Sequence, residues 1–232
     1  MKVLDITKHK TQLVNILLDI YKDSELGGVL GFKGGTAAML FHNLPRFSVD
    51  LDFDLLTKSD LVVGRMTKLL SAKYDIKDSS SKLRTLFWLV GYGAGSAHIK
   101  VEISVRDNPY NHYDLSPFLG VSIRTLNIKD MMAHKLVAVM ERTSIANRDL
   151  FDIHYFLGRT ESSDINHDII RHRTNKSPKE FYKSLLNFVS RIDNKNILAG
   201  LGEVLTPSQK DWAKAKLKVE LENLIKKMIY LN

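Results

Sequence analysis

From Val49 to Leu55 the chain alternates large apolar residues with acids, Val-Asp-Leu-Asp-Phe-Asp-Leu. A period of two predicts a β-strand over residues 46–56. Val49, Leu51, Phe53 and Leu55 would enter a core, while Ser48, Asp50, Asp52 and Asp54 share the opposite face. Residues 98–106 repeat the pattern: Ile99, Val101, Ile103 and Val105 alternate with His98, Lys100, Glu102 and Ser104, which makes Glu102 the one carboxylate on a second polar face. If the two strands are neighbours, Glu102 completes a cluster with Asp50 and Asp52. Taken alone, the segment fits an exposed Glu on a half-buried strand equally well.

Elsewhere the period lengthens. Leu13, Ile16, Leu17 and Ile20 fall on one stripe, which predicts an amphipathic helix over residues 11–21, ended by Gly27-Gly28. A short strand over 29–33 runs into Gly34-Gly35, and Thr36 opens a helix through Phe41. A helix over 59–72 carries Leu61, Val62, Met66, Leu69 and Leu70. Strands are expected at 74–77, 84–92 and 121–126, with loops at 78–82 and 107–116 and a hairpin turn at 93–96. From Asn127, a predicted N-cap, the pattern is helical: residues 130–142 and 148–157, then further helices near 178–192 and 210–231. An α/β portion, residues 1–126, thus precedes a helical one, residues 127–232.

The 232 residues carry 34 Lys and Arg against 26 Asp and Glu, a formal net charge of +8, and the excess is spread along the chain. That balance suits a polyanionic partner such as nucleic acid, or simply a well-solvated basic surface. Lys210, Lys214, Lys216, Lys218, Lys226 and Lys227 on the last helix allow the same two readings. The absence of Cys excludes disulfides, thiolate metal sites and Cys nucleophiles. No His pair has zinc-site spacing, and His167 with His172 is incidental. The apolar run near the start is broken by Asp5, Lys8 and Lys10, unlike a secretory signal, and no segment approaches the ~18 apolar residues of a membrane span. The expectation is a soluble cytoplasmic protein with no membrane partner.

The acidic strand is where chemistry enters. Asp is depleted from strands, and three on one face repel one another unless a cation sits among them. Alternate Cα atoms lie ~6.5–7 Å apart, close enough for two carboxylates to converge on cations between them. Mg²⁺ is the hard ion that such oxygen donors suit. A charge-guarded edge strand is the structural alternative. Strand, Gly-Gly, helix can bring backbone N–H groups to an anion, or can be no more than a tight turn. It is not a P-loop, because Lys33 precedes the glycines instead of following them. In the helical portion, Asp149 and Asp152 stand at i and i+3, and with Arg142 and Arg148 they fit an interhelical ion-pair network.

In order and spacing, Gly34-Gly35, Arg46-x-Ser48-x-Asp50-x-Asp52-Phe53, Glu102, Lys135-x-x-Ala138-x-x-x-Arg142 and Arg148-Asp149-x-x-Asp152 resemble the motifs of the AbiEii/AbiGii nucleotidyltransferase-like toxin family. That family lies within the DNA polymerase β-like nucleotidyltransferase superfamily, and the resemblance covers about residues 29–157. It implies an α/β (α+β) fold: a polymerase β-like mixed sheet with helices, followed by a C-terminal helical bundle. It also implies Mg²⁺-dependent transfer of a nucleoside monophosphate from an NTP to an acceptor, with the 3′ end of tRNA favoured. The setting would be a toxin–antitoxin or phage-defence system with a separately encoded antitoxin. A small-molecule acceptor such as an aminoglycoside, or a non-catalytic nucleotide- or RNA-binding module, are the alternatives.

Residue by residue, the resemblance implies that Gly34 and Gly35 approach the triphosphate, with Thr36 beginning the helix beneath it. Arg46, Ser48, Arg148 and Asp149 join the nucleotide-binding set. Asp50 and Asp52 would hold two Mg²⁺, with Glu102 as the third carboxylate, and Lys135 would meet a triphosphate oxygen. Asp152, or else Asp149, would orient Lys135 or Arg148. The implied catalytic set is therefore Asp50, Asp52, Glu102, Lys135 and Asp152. The interval from Arg142 to Arg148 is longer than in many members. Asp54 stays open, since an Asp52/Asp54 metal pair fits the same strand.

Overall fold

The two alternating segments become adjacent strands of one seven-stranded sheet. The computed structural model describes residues 5–93, 98–142 and 146–232, and the chain divides into two units, Met1–Asn127 and Ile128–Asn232. The strands are β1 (Leu30–Lys33), β2 (Leu51–Leu55), β3 (Asp75–Lys82), β4 (Thr85–Gly91), β5 (His98–Ser104), β6 (Tyr113–Phe118) and β7 (Val121–Leu126). Their spatial order is β3-β4-β5-β2-β1-β7-β6. β2 runs parallel to β5 and β1 to β7, and the remaining pairs are antiparallel. This is a mixed sheet with helices, followed by C-terminal helices, as a nucleotidyltransferase-like fold requires.

The sheet's core face explains its register. Leu51, Phe53, Ile99, Val101 and Ile103 are 0% exposed, as are Leu13, Ile16, Leu17 and Ile20 of α1 (Ile6–Lys22). Burying each such side chain stabilises by roughly 1.5–3 kcal/mol. A one-residue slip of β2 would turn Leu51 and Phe53 outward and the acids inward, so the pairing is strongly specified. It sets Asp52 opposite Glu102 on one side and opposite Lys33 on the other.

Several local expectations are overturned. Gly27-Gly28 does not end a helix. Both glycines lie inside α2 (Ser24–Val29), whose first turn is held by Asp23 accepting from the N–H groups of Glu25 and Leu26 at 3.1 Å. The break comes earlier, at Asp23. Residues 78–82 are strand, not loop: β3 is an edge strand whose mostly exposed, serine-rich residues hydrogen-bond β4 through the backbone. β6 likewise begins inside the expected 107–116 loop and occupies the other edge, where Pro117 is tolerated. The acidic strand is shorter than expected, so Asp50 immediately precedes β2. Of the turn expected at 93–96, residues 94–96 lie outside the described residues.

After α3 (Gly34–Phe41) and α4 (Leu61–Ser71) of the first unit, the second unit holds α5 (Ile128–Glu141), α6 (Asn147–Leu157), α7 (His167–Thr174), α8 (Pro178–Ser190), α9 (Pro207–Trp212) and α10 (Lys218–Leu231). α5 packs on α6 and α7, and α10 packs on α6 and α8, around buried Leu136, Leu150, Ile170, Phe181, Leu185, Leu221 and Ile225. α8 starts with a capping box between Ser177 and Glu180, with Pro178 at its first turn. α7 was not foreseen; it buries only Ile169 and Ile170 and so shows no apolar stripe. The helix expected over 210–231 is divided by a π-helical stretch, Ala213–Leu217. Lys218, read as part of a solvated or phosphate-facing row, donates instead to the carbonyls of Ser190 and Ile192 at the end of α8. Among the described residues no helix is long and apolar enough to cross a membrane.

Candidate active site

Helix α3 (Gly34–Phe41) starts where β1 ends, and its first two residues lie against the acidic strand and the segment before it. Gly34 has φ +81°, and a Cβ there would stand 2.3 Å from Asp52 Oδ2. At Gly35 a Cβ would meet Ser48 Oγ at 2.7 Å and Arg46 Nη2 at 3.2 Å. Any larger residue would push the helix start away from these groups, and at Gly34 it would also be strained. Lys33, in the N-cap position, makes no side-chain cap to the helix. The start of α3 therefore combines backbone N–H groups with the positive end of a helix dipole, beside Ser48 and Arg46.

Asp50 is gripped through its backbone neighbours. The buried Thr36 hydroxyl donates to the Asp50 carbonyl. From α1, His9 Nε2–H donates to the Val49 carbonyl at 2.9 Å, which leaves Nδ1 to accept from the Tyr92 hydroxyl. His9 is 1% exposed. Sequence reasoning missed both His9 and Tyr92. The available signal was that His9 falls four residues before Leu13, on the buried stripe of α1.

Asp52 is under electrostatic pressure. Withdrawal from water, then the charges of Asp50 and Glu102, push its carboxyl up to about 6, against the opposing pull of Lys33 and Lys100. Lys100 is shared, with its ammonium 3.7 Å from Glu102. Two residues on, Asp54 is in a different position. It is 3% exposed, with Oδ1 at 2.5 Å from Lys33 Nζ and Oδ2 accepting from the Tyr113 hydroxyl at 2.6 Å and the Asn111 amide at 3.3 Å. The open Asp52/Asp54 metal pair thus finds Asp54 already occupied by protein donors. Among the described residues, no three His, Asp or Glu side chains are drawn in around a common metal position. Asp50, Asp52 and Glu102 nonetheless offer only oxygen and surplus negative charge, the donor chemistry of a hard divalent cation.

In the second unit Asp149 and Asp152 each stand beside a cation. Lys135 Nζ on α5 stands 2.5 Å from Asp152 Oδ2 on α6, with side chains 10% and 0% exposed. Arg142 Nε lies 2.6 Å from Asp149 Oδ2. Arg148 donates from Nε to the Gly200 carbonyl at 2.5 Å. Among the described residues, only the Arg142–Asp149 pair of the expected network forms: Asp152, not Asp149, is the partner of Lys135, and Arg148 goes to a backbone carbonyl.

Residues 15–224 match the family described as the nucleotidyl transferase AbiEii toxin of type IV toxin–antitoxin systems. The chain belongs to that family. Among solved structures, JHP933 from Helicobacter pylori is similar at 20% identity, with a TM-score of 0.66 over 99% of this chain and 94% of that one. A second H. pylori protein, described as a candidate nucleotidyltransferase, shows 22% identity and a TM-score of 0.65 over 98% and 97% of the two chains. At these identities the likeness is one of fold. No curated protein matches the sequence.

Membership in the AbiEii nucleotidyltransferase family supports a transferase activity, and its type IV description implies an antitoxin partner and an NTP substrate. Within the first unit the structure gathers Gly34, Gly35, Thr36, Arg46, Ser48, Asp50, Asp52 and Glu102 around the start of α3 and the β2–β5 pair. Lys135, Arg148, Asp149 and Asp152 lie on α5 and α6 of the second unit.

Proposed function

We propose that this AbiEii-family protein is a Mg²⁺-dependent nucleotidyltransferase that moves a nucleoside monophosphate from an NTP to the 3′ end of tRNA. It acts in the cytoplasm as the toxin of a toxin–antitoxin or phage-defence pair, beside a separately encoded antitoxin. The observation that supports this most is Asp52. It is crowded by Asp50 and Glu102, and the positive-φ Gly34 brings the start of α3 against its carboxylate. Stability alone would not retain that crowding.

In this reading Asp50, Asp52 and Glu102 hold the metal. When bound, Mg²⁺ supplies charge neutralisation to the polyphosphate and to the oxygens exchanged at phosphorus. Gly34 and Gly35 let the backbone approach the triphosphate above Thr36, and Arg46 and Ser48 offer it donors beside Gly35. Thr36 and His9 keep Asp50 in place through the 49–50 backbone. By the family resemblance, Lys135, oriented by Asp152, is assigned to a triphosphate oxygen, and Arg148 and Asp149 to the nucleotide. The acceptor hydroxyl loses its proton to water and attacks the α-phosphorus, the new ester bond forms as the α–β anhydride bond breaks, and pyrophosphate leaves. The net charge of +8 favours a nucleic-acid acceptor over a small cationic one.

Incubation with Mg²⁺, each labelled NTP in turn and total tRNA tests the reading. Label should pass to tRNA with wild type and not with Asp52→Asn. No transfer by wild type, or full transfer by the variant, would overturn it.

A further inference from the structure

β2 carries a second carboxylate whose surroundings the metal reading leaves unused. Asp54 is held on both oxygens, by Lys33 on one and by Tyr113 and Asn111 on the other, and the Asn111 amide also donates to the Tyr113 hydroxyl at 3.3 Å. The fold makes room for this arrangement. A Cβ at Gly31 on β1 would lie 2.3 Å from Cε1 of the Tyr113 ring, so the ring crosses β1 only because that position has no side chain. Gly31 stands opposite Asp54 in the β1–β2 register, so the same gap brings the Tyr113 hydroxyl to the carboxylate.

What this apparatus presents outward is the Lys33 ammonium. Its side chain is 26% exposed, against 4% for Asp54. An ammonium has three N–H donors, and Asp54 accepts from one side only. Lys33 is the last residue of β1, stands opposite Asp52 and directly precedes Gly34-Gly35. The cation is therefore fixed at the junction of the carboxylate group and the helix start. An unrestrained lysine there would be spread over many rotamers, whereas a docked one loses little freedom when it meets an anion.

We propose that Lys33 is a further substrate-contacting residue, a ligand for the polyphosphate of the incoming nucleotide. Asp54, Tyr113 and Asn111 are positioning residues that seat its ammonium. The inference rests on the nucleotidyltransferase reading above and adds to it a phosphate ligand outside the motif residues. It also gives Asp54 a role that is not metal binding.

The test is calorimetric titration of the full-length protein with Mg²⁺ and inorganic tripolyphosphate, then with Mg²⁺ and each NTP, alongside thermal unfolding. Lys33→Met should weaken tripolyphosphate binding by about tenfold or more, while Lys33→Arg, which restores the charge, stays within about threefold of wild type. Tyr113→Phe keeps the ring over Gly31 and removes only the hydroxyl; it should weaken binding by about two- to fivefold, with the fold intact and Tm lowered by only a few degrees. Wild-type affinity in Lys33→Met overturns the proposal. If that variant does not fold, Tyr113→Phe and Asp54→Asn decide, and unchanged affinity in both overturns it. Failure of this inference alone leaves wild type binding both probes. A wild type that binds neither overturns the nucleotidyltransferase reading as well.

Discussion

Two regions of this chain bring charged groups close together, and they balance them in opposite ways. On α5 and α6, Lys135 and Asp152 form an ion pair at 2.5 Å, nearly sealed from solvent. At the start of β2, Asp50, Asp52 and Glu102 face one another with Lys33 and Lys100 as partial compensation, and the Asp52 carboxyl rises to about 6 as a result. A matched pair is satisfied by the fold itself. A crowd of like charges is held in place by the sheet register and is relieved when something positive arrives. Asp54 is the internal control. It lies on the same strand two residues away, and with three protein donors its charge is answered.

The largest effect should come from the crowded acids. Asp52→Asn is expected to lower nucleotide transfer by about a thousandfold or more, because it removes a group whose charge the proposed reaction uses. The same variant should be more stable than wild type in the absence of divalent ions. A loss of both activity and stability would mean that Asp52 is a structural acid like Asp54.

Next comes the matched pair. Lys135→Met alone leaves the buried Asp152 carboxylate without its cation and should cost about 3–5 kcal/mol in urea unfolding. Replacing both residues by apolar ones, Lys135→Met with Asp152→Leu, should recover most of that loss. If the double variant is no more stable than the single one, the pair is not the unit it looks to be.

Gly34→Ala should cost about 1–3 kcal/mol. The new Cβ meets Asp52 Oδ2 at 2.3 Å on a backbone with φ +81°. Because the clash falls on the carboxylate, transfer should fall further than stability does.

A pH series in EDTA separates the regions more gently. The folded Asp52 carboxyl, about 6 against an ordinary 3.8, keeps its proton longer than in the unfolded chain. Its contribution to stability is fully present below pH 3.8 and is lost as pH rises through about 6. For a half-buried group the loss should be about 1–2 kcal/mol, and Asp52→Asn should lack it. The smallest effect is expected at Arg142→Gln, about 1 kcal/mol: the Arg142 side chain is 55% exposed, so water replaces part of what it gives, while Asp149 is 11% exposed.

Much of this was legible in the residue pattern, and the misses share a cause. The alternation over Val49–Leu55 and Ile99–Val105 marked both central strands, and the motif residues pointed to the family that residues 15–224 match. The serine-rich stretch of β3 and the start of β6 were invisible because edge strands are held by backbone hydrogen bonds, which leave no trace in side-chain polarity. α7 was invisible for a related reason: two buried isoleucines are too few to make a period. Gly27-Gly28 misled because Asp23 caps the turn that contains them, a local hydrogen bond that outweighs glycine's weak helix propensity.

Which acids share a face with Asp52 follows from the residue pattern alone, because alternation is a property of consecutive residues. Only the tertiary structure decided what stands beside each acid. Asp52 gained Glu102 across a parallel pairing with a strand 50 residues away in the chain. Asp54 gained Tyr113, which reaches it across Gly31. Two aspartates of identical local pattern therefore ended with opposite characters. Charge balance is set by neighbours in space, and the packing of the sheet's apolar face chose those neighbours.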